Sequence, residues 1–437
     1  MRVALITLFL SLTAPALALD FGRGDCNFDA GVNIGDPIYL LGYLFSAGDV
    51  PACPDACDAN DDGGLNVADA ISMLAYLFDP GAPPLPPPFP APGADPTPDG
   101  LTCGPPVADA DGDGFTTGDG DCCDTDPNVN PSAFDIAGNG IDEDCNGTPD
   151  DEPAGCDTLL AGQTALELAT SLGICQTATP GGTEWGLIAA ALERADGTPY
   201  AGGVQARVVQ SFGVNLPEAG NSFVALSTGF AGTPSTPGYV PPIPGTDHGV
   251  NGLPPADYLA AHGGSLPVVT SCGGPCPAGS GANDSVSLHL TIRVPTNATS
   301  LSFRWFFLTS EYESYVCTQY NDFAVALLDS VAPGIPADKN IMYDVLGNPV
   351  TASGAFLDVC VPQTCYTCPL GTGLLLGTGY SPFGGGTGWL TTTAPVVPGE
   401  TIDLRLMVWD VSDRSFDTVL MIDDFEWGVE APLAPCP

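Results

Sequence analysis

The run 286-VSLHLTIRV-294 places Val286, Leu288, Leu290, Ile292 and Val294 at alternate positions, with Ser287, His289, Thr291 and Arg293 between them. Side chains on a strand point alternately to its two faces, so the pattern predicts a strand with one face in a core and one towards water. Ile402, Leu404, Leu406 and Val408 alternate in the same way with Asp403, Arg405, Met407 and Trp409. Similar runs lie at 207–212, 223–227, 301–308, 323–328 and 419–427. A helical opening is expected over 164–172, with 186–193 as a further helical candidate. Many strands joined by Gly- and Pro-rich turns predict an antiparallel β-sandwich, jelly-roll or lectin-like, over residues 156–437.

The N-terminal side is different in kind. The 437-residue chain carries a net charge of −43, from 52 acidic residues against 9 Lys plus Arg. Residues 19–153 hold 27 of those acids and one base, Arg23. Such a charge excludes nucleic acid and anionic membranes as partners and calls for bound cations. The acids also sit at ligand spacing. In 58-DANDDGGLNVAD-69, Asp58, Asn60, Asp62, Asn66 and Asp69 stand at positions 1, 3, 5, 9 and 12 of an EF-hand-type loop. Gly63 supplies the turn, and Gly64 offers its carbonyl to calcium. The frame repeats 33 residues earlier as Asp25, Asn27, Asp29, Gly31, Asn33 and Asp36, and IYLLGYLF after Asp36 matches ISMLAYLF after Asp69. Each unit is thus a loop followed by one short amphipathic helix. Ala30 occupies the turn position of the first loop, so its site is expected to be the weaker.

Two loop-helix units without an entering helix resemble dockerin type I domains, over roughly residues 23–78. The resemblance implies a calcium-binding module that docks onto a cohesin-like partner, often in polysaccharide-degrading assemblies. Positions 10 and 11 of the loops are Ile34-Gly35 and Val67-Ala68 in place of the family's usual hydroxyl pair, and Cys26, Cys53 and Cys57 are foreign to it. After this module (19–79) comes a linker (80–103) with ten prolines between 80 and 98, expected to be an extended, semi-rigid spacer whose far end Cys103 ties back.

A third acidic module, 104–155, opens with DADGDGFTTGDGDCCDTDPNVNP from Asp109 and closes with NGIDEDCNG from Asn139. Asp109, Asp111 and Asp113, with the Phe115 carbonyl and Asp119 or Asp121, complete a calcium loop on the same spacing. Asp124 and Asp126 with Asn128 and Asn130, and Asn139 with Asp142 and Asp144, join that ion or a neighbour. The segment resembles a metal-binding repeat of bacterial surface proteins for which copper has been proposed, but an all-oxygen donor set without His or Met suits calcium better. With little apolar sequence, metal and disulfides must hold it together.

Export is expected from Met1 to about Ala18, where Arg2, an apolar run and Ala16-Leu17-Ala18 form a secretory signal, and no stretch is long enough for a transmembrane segment. All sixteen cysteines follow it, which in an exported chain reads as disulfides of open connectivity, Cys365 and Cys368 included.

The C-terminal region resembles the choice-of-anchor L family through ALSTGFA at 225, LTSEYESYVCTQYNDFAVAL at 308, GTGWLTTTAPVVPGETIDLRLMVWD at 386 and DTVLMIDDFEW at 417. The resemblance implies a surface-associated β-sandwich with no established catalysis. The chain is thus read as multi-domain and mainly β: a secreted or cell-surface calcium-binding protein for attachment or for binding a ligand such as a glycan. No C-terminal sorting helix is recognised, which leaves the dockerin-like module as the expected attachment device. Among acids of the sandwich, Glu311, Asn321, Asp322, Asp410, Asp413, Asp423 and Asp424 are candidates for a calcium or sugar site at an edge. The rival hydrolase reading needs Glu311 and Glu313 on one strand face, roughly 7 Å apart, as an acid-base pair. His248, His262 and His289 are isolated, and there is no HExxH or GxSxG.

Overall fold

The computed structural model describes residues 21–430 apart from 29–30, 47–49, 98–100, 102, 104–108, 152–157, 201–202, 272, 345–346 and 355–356. The signal segment, Asp29, Ala30, Cys156 and Cys436 lie outside the described residues. The chain forms two compact units, Met1–Ala108 and Asp109–Pro437.

In the first unit, each acidic loop leads into a helix: α1 Gly35–Phe45 and, after the short α2 Pro54–Cys57, α3 Val67–Phe78. Asn66 caps α3 and Asp69 closes the capping box, which satisfies backbone N–H groups that a helix start leaves free. Leu40 of α1 and Met73 of α3, one repeat apart, are fully buried with Ala59, Ala70 and the Cys26–Cys57 disulfide. The proline-rich segment is not a free spacer. Leu85 enters this core, Phe89 meets Tyr76 edge-on at 5.0 Å, Phe21 pairs with Gly93, and Cys53 bonds Cys103. Burial of Leu85 and partial burial of Phe89, the two large apolar side chains among the prolines, favour this docking.

The second unit is an antiparallel sandwich. Its strands are β1 Gly186–Glu193, β2 Ala206–Val209, β3 Phe223–Ser227, β4 Thr270–Ser271, β5 Gly274–Pro275, β6 Asn283–Arg293, β7 Ala298–Thr309, β8 Phe323–Asp329, β9 Val350–Thr351, β10 Gly385–Gly386, β11 Leu390–Pro395, β12 Thr401–Asp410 and β13 Thr418–Val429. One sheet runs β1-β6-β12-β8-β9, the other β10-β7-β13-β3-β2 with β11 also on β7. The short helices α4 Ala165–Ser171 and α5 Ala256–Ala261 precede β1 and β4. Thr164 and Glu167 form a capping box on α4, as the helical opening requires.

The alternation that defines β6 is what builds the core. Val286, Leu288, Leu290, Ile292 and Val294 are fully buried, facing Leu301, Phe303, Trp305 and Phe307 of β7 with Ile402, Leu404, Leu406 and Val408 of β12 beside them. Two expectations need correction. Residues 186–193 are not helical: they pair antiparallel with β6, Gly186 opposite Arg293 and Glu193 opposite Ser287, so sheet hydrogen bonding overrides the helix preference of Leu, Ala and Glu. Met407 and Trp409 do not face water either. They are fully buried on the outer face with Phe323, Val325 and Leu327, beneath Tyr258, Leu266 and Val269. The outer face of the other sheet is covered likewise, Phe306, Leu308, Val419 and Met421 lying under Phe212, Val359, Leu375 and Tyr380.

The acidic segment from Asp109 belongs to this second unit and is stitched to the β6–β7 turn. Thr296 donates to Asn130 Oδ1 at 2.8 Å, and Asn297 exchanges hydrogen bonds with the Phe134 backbone at 2.8 and 2.9 Å. Disulfides join Cys122 to Cys145, Cys276 to Cys317 and Cys360 to Cys368, and no described cysteine is free. Cys368 therefore does not pair with Cys365, and the CxxC is not a redox couple.

Candidate metal centres

The two loops of the first unit share one hydrogen-bond plan. In the second, Asp58 accepts from the Asp62 and Gly63 N–H groups at 3.2 and 2.8 Å, and Asp69 from those of Asn60 and Asn66 at 3.3 and 2.9 Å. In the first, Asp36 accepts from Asn27 and Asn33 N–H at 3.2 and 2.7 Å. Asn33 and Asn66 each donate to the carbonyl two residues back, of Gly31 and Gly64, at 3.0 and 2.9 Å. These contacts curl the chain so that oxygen side chains converge. Asp58 and Asp69 are both fully buried, and the Asp69 carboxyl is raised by that burial and by Asp58. Asp25 matches Asp58 and Asn27 matches Asn60 in the repeated frame, and Asp62 accepts from the Asn60 amide at 2.9 Å.

The loop that opens the second unit converges furthest. One carboxylate oxygen each from Asp109, Asp111 and Asp113 lies within 4.8 Å of the others, the one such trio of acidic ligand atoms among the described residues. Asp109 accepts from Gly112 and Gly114 N–H at 2.6 and 3.0 Å, which holds its carboxyl below the usual range. Asp113 is pushed up to about 6, by burial first and then by Asp111 and Asp121. Asp111 Oδ2 and Asp121 Oδ2 are buried with no hydrogen-bond partner among the described residues. Asp119 accepts from the Thr116 N–H and hydroxyl at 3.1 and 2.7 Å, as Asp69 does from Asn66 N–H, and Phe115 N–H donates to Asp113 at 2.8 Å. Asp124 holds Ala110 N–H, Asn130 donates to Asp113 at 2.9 Å, and Asp126 accepts from Asn128 N–H.

A fourth loop of the same make follows. Asp142 accepts from Asn146 and Gly147 N–H at 3.0 and 2.9 Å, the plan seen at Asp58. Asn146 also donates to Asp144 and Asp151. Asn139 is not part of that loop: its amide goes to Glu143. Asn146 and Asp151 are the residues that sequence reading missed.

The acids of the sandwich gather at one end, between the sheets. Carry each inward-facing series one step past its last apolar member. Val408 leads to Asp410, Ala324 to Asp322, Phe307 to Thr309, Leu420 to Thr418 and Leu226 to Thr228, all buried. Asp410 and Asp322 follow directly on the paired Trp409 and Phe323. Asp322 accepts from Val411 N–H at 3.2 Å and, across the gap between sheets, from the Thr418 hydroxyl at 2.5 Å. Asp417 is served by Thr246 N–H, and Asp284 by His248 and Val250 N–H. Burial raises every one of these carboxyls, Asp417 to about 7. Glu311 is 1% exposed and raised to about 10 by burial, then by Asp322 and Asp413.

Glu311 and Glu313 do not form the pair that a hydrolase requires. The strand ends at Thr309 and both lie in the turn beyond it. Glu311 is buried, whereas Glu313 is exposed and bonded to Gln363 in a shallow pocket with Tyr312, Val316 and Tyr366 that Glu311 does not line. Asp423 accepts from Glu218 and Ala219 N–H, away from the polar layer, and Asp424 donates its N–H to the Asp423 carboxylate. His289 sits between Glu193 and Asp403, and His262 against Asp338, as surface pairs.

Residues 279–425 match the Choice-of-anchor L domain. The matched segment takes in β6 to β12, most of β13 and the polar layer apart from Thr228. A Choice-of-anchor L domain points to a surface-associated protein. No helix among the described residues is long and apolar enough to cross a membrane. No curated protein matches the chain. Among the solved structures that align is a β-glucosidase from Kluyveromyces marxianus in complex with glucose, at 9% identity over 34% of this chain and 12% of that one. Its TM-score of 0.14 supports no statement about this chain.

Proposed function

We propose that this is an exported surface protein whose acidic loops bind calcium and whose sandwich serves attachment or ligand binding, without catalysis. The observation that carries it is the Asp109-Asp111-Asp113 trio, three carboxylates within 4.8 Å beside two buried carboxylate oxygens that no described donor reaches. Like charges gather this closely at a cost that a hard cation repays, and all-oxygen donors at this spacing suit calcium. The loops at Asp25, Asp58 and Asp142 are proposed to act in the same way. Secretion by the N-terminal signal is part of this reading, and so is a glycan as the sandwich's ligand.

The test is a calcium titration of the mature chain by calorimetry, beside thermal unfolding with and without chelator. Extracellular modules bind at about 0.1 to 1 mM, so the titration must reach several millimolar. Calcium uptake that drops on Asp58→Asn and again on Asp109→Asn is expected; uptake unchanged by both would overturn the proposal.

A second reading, docking of the first unit onto a cohesin-like partner in a polysaccharide-degrading assembly, is favoured by one observation. The exposed apolar residues of that unit repeat at the 33-residue period: Ile34 with Val67, Ile38 with Ile71, Phe45 with Phe78. Capture of a cohesin domain by residues 19–108, lost on Ile38→Asp plus Ile71→Asp, tests it.

A further inference from the structure

We infer that the polar layer between the sheets at one end of the sandwich is a buried calcium site, with Asp410 at the end of β12 and Glu311 in the turn after β7 supplying carboxylate ligands. The site is separate from the acidic loops and does not depend on them.

The argument begins with which acids are served. Asp322, Asp417 and Asp284 each receive N–H or hydroxyl donors. Asp410 and Glu311 are different: both oxygens of each are buried and none has a hydrogen-bond partner among the described residues. Asp410 is fully buried and Glu311 is 1% exposed. Each has Asp322 as its foremost charged neighbour, and at Asp410 the Thr228 hydroxyl alone opposes the rise that burial causes. Protonation does not resolve this. It removes the charges but leaves the oxygens that carry no proton without a donor.

A basic side chain does not resolve it either. Arg414 turns outward to Asp247 and Asn251, and Arg194 is taken by Gln205 and the Ser285 carbonyl. Two orphaned carboxylates carry two negative charges, which a divalent ion balances, and their four oxygens with the Thr228 hydroxyl make a hard-ligand set. His248 Nε2 is taken by the Gly229 carbonyl at 3.0 Å, so the nitrogen that zinc favours is already used. Unlike the Asp109 loop, the layer does not bring three carboxylates within 4.8 Å. The ion would bridge the two sheets through two acids and neutral oxygens, where the Thr418–Asp322 hydrogen bond already joins them.

The experiment uses the full mature chain carrying Asp25→Asn, Asp58→Asn, Asp109→Asn and Asp142→Asn as background. Bound calcium per chain is counted after gel filtration, and unfolding is followed with and without chelator. The expected result is that one ion remains, that chelator lowers Tm, and that adding Asp410→Asn removes both the ion and the chelator effect. Glu311→Gln should do the same, which guards against misfolding of one variant. In chelator, Asp410→Asn should melt no lower than its parent, because it no longer buries a charge. A background chain that holds no calcium and melts alike with and without chelator overturns the inference. So does an ion count unmoved by both variants. Neither result bears on the loops, whose own test is the loss of ions on making the background.

Discussion

Arg23 Nη1 donates to the backbone carbonyl of Asp58 at 2.6 Å, so the first acidic loop-helix unit holds the opening residue of the second by a fully buried guanidinium. The same side chain donates to the Pro87 and Asp55 carbonyls and pairs with Asp55, Asp61 and Asp95 at 3.2, 2.8 and 3.0 Å. It is the one base in the acidic third of the chain and joins loop, α2 and proline segment.

Arg23→Ala is expected to destabilise the first unit by about 3–5 kcal/mol, the usual cost of removing one partner from a buried ion pair. Arg23→Lys should recover little, because an ammonium cannot span carbonyls and carboxylates on several sides. Denaturant melts of residues 19–108 within the full chain check this; a lysine variant as stable as the parent would show that charge alone suffices.

The Cys26–Cys57 disulfide closes a 31-residue separation between the two loops. Replacing both cysteines by serine should cost about 3–4 kcal/mol in oxidising buffer, chiefly by releasing the unfolded chain. An unchanged denaturation midpoint would mean that Arg23 and the Leu40–Met73 contact hold the repeats together unaided.

Asp417 fits because Gly229 and Gly245 have no side chain. A Cβ on Gly229 would lie 1.8 Å from its carboxylate, and one on Gly245, at φ +92°, would lie 2.1 Å away. Gly229→Ala should therefore lower stability by at least about 1–3 kcal/mol, and Gly229→Ala with Asp417→Ala by less than the sum of the two. Additive losses in a double-mutant cycle would contradict the close approach.

Stability in chelator should rise on acidification from pH 8 to 5. The Asp417 carboxyl stands at about 7 in the fold against 3.8 as its ordinary value, so the folded state holds the proton more tightly between those limits. Its contribution is present below about pH 4 and is lost as pH rises through 7. Glu311, Asp322 and Asp410 are shifted the same way and extend the loss upward. Tm measured across this range with chelator should fall with pH, and less steeply with calcium. A Tm that instead fell on acidification would mean these acids are ionised and paired.

Much of the sandwich is legible in sequence because β6, β12 and the inward half of β7 alternate cleanly. Residues 186–193 are not, since GLIAAALE favours a helix locally and becomes a strand only against β6. Trp409 and Met407 misled for a related reason: alternation assigns two faces but does not say that a loop covers the second. In the proline segment, composition gives an extended backbone, while Leu85 and Phe89 were the signal that it packs. The loop at Asp142 was readable, because Asp142, Asp144, Asn146 and Gly147 repeat the spacing of Asp58, Asn60, Asp62 and Gly63. At the sandwich end, sequence shows acids one step beyond apolar runs. Which of them meet depends on strand register, and which lack donors depends on loops that no pattern specifies.

Loops lie over much of both outer faces of the sandwich, at Tyr258, Leu266 and Val269 on one side and Phe212, Leu375 and Tyr380 on the other. A visiting molecule there meets loops before pleated strands. Substitutions in those loops would accordingly change what such a molecule meets while leaving the paired strands beneath unaltered.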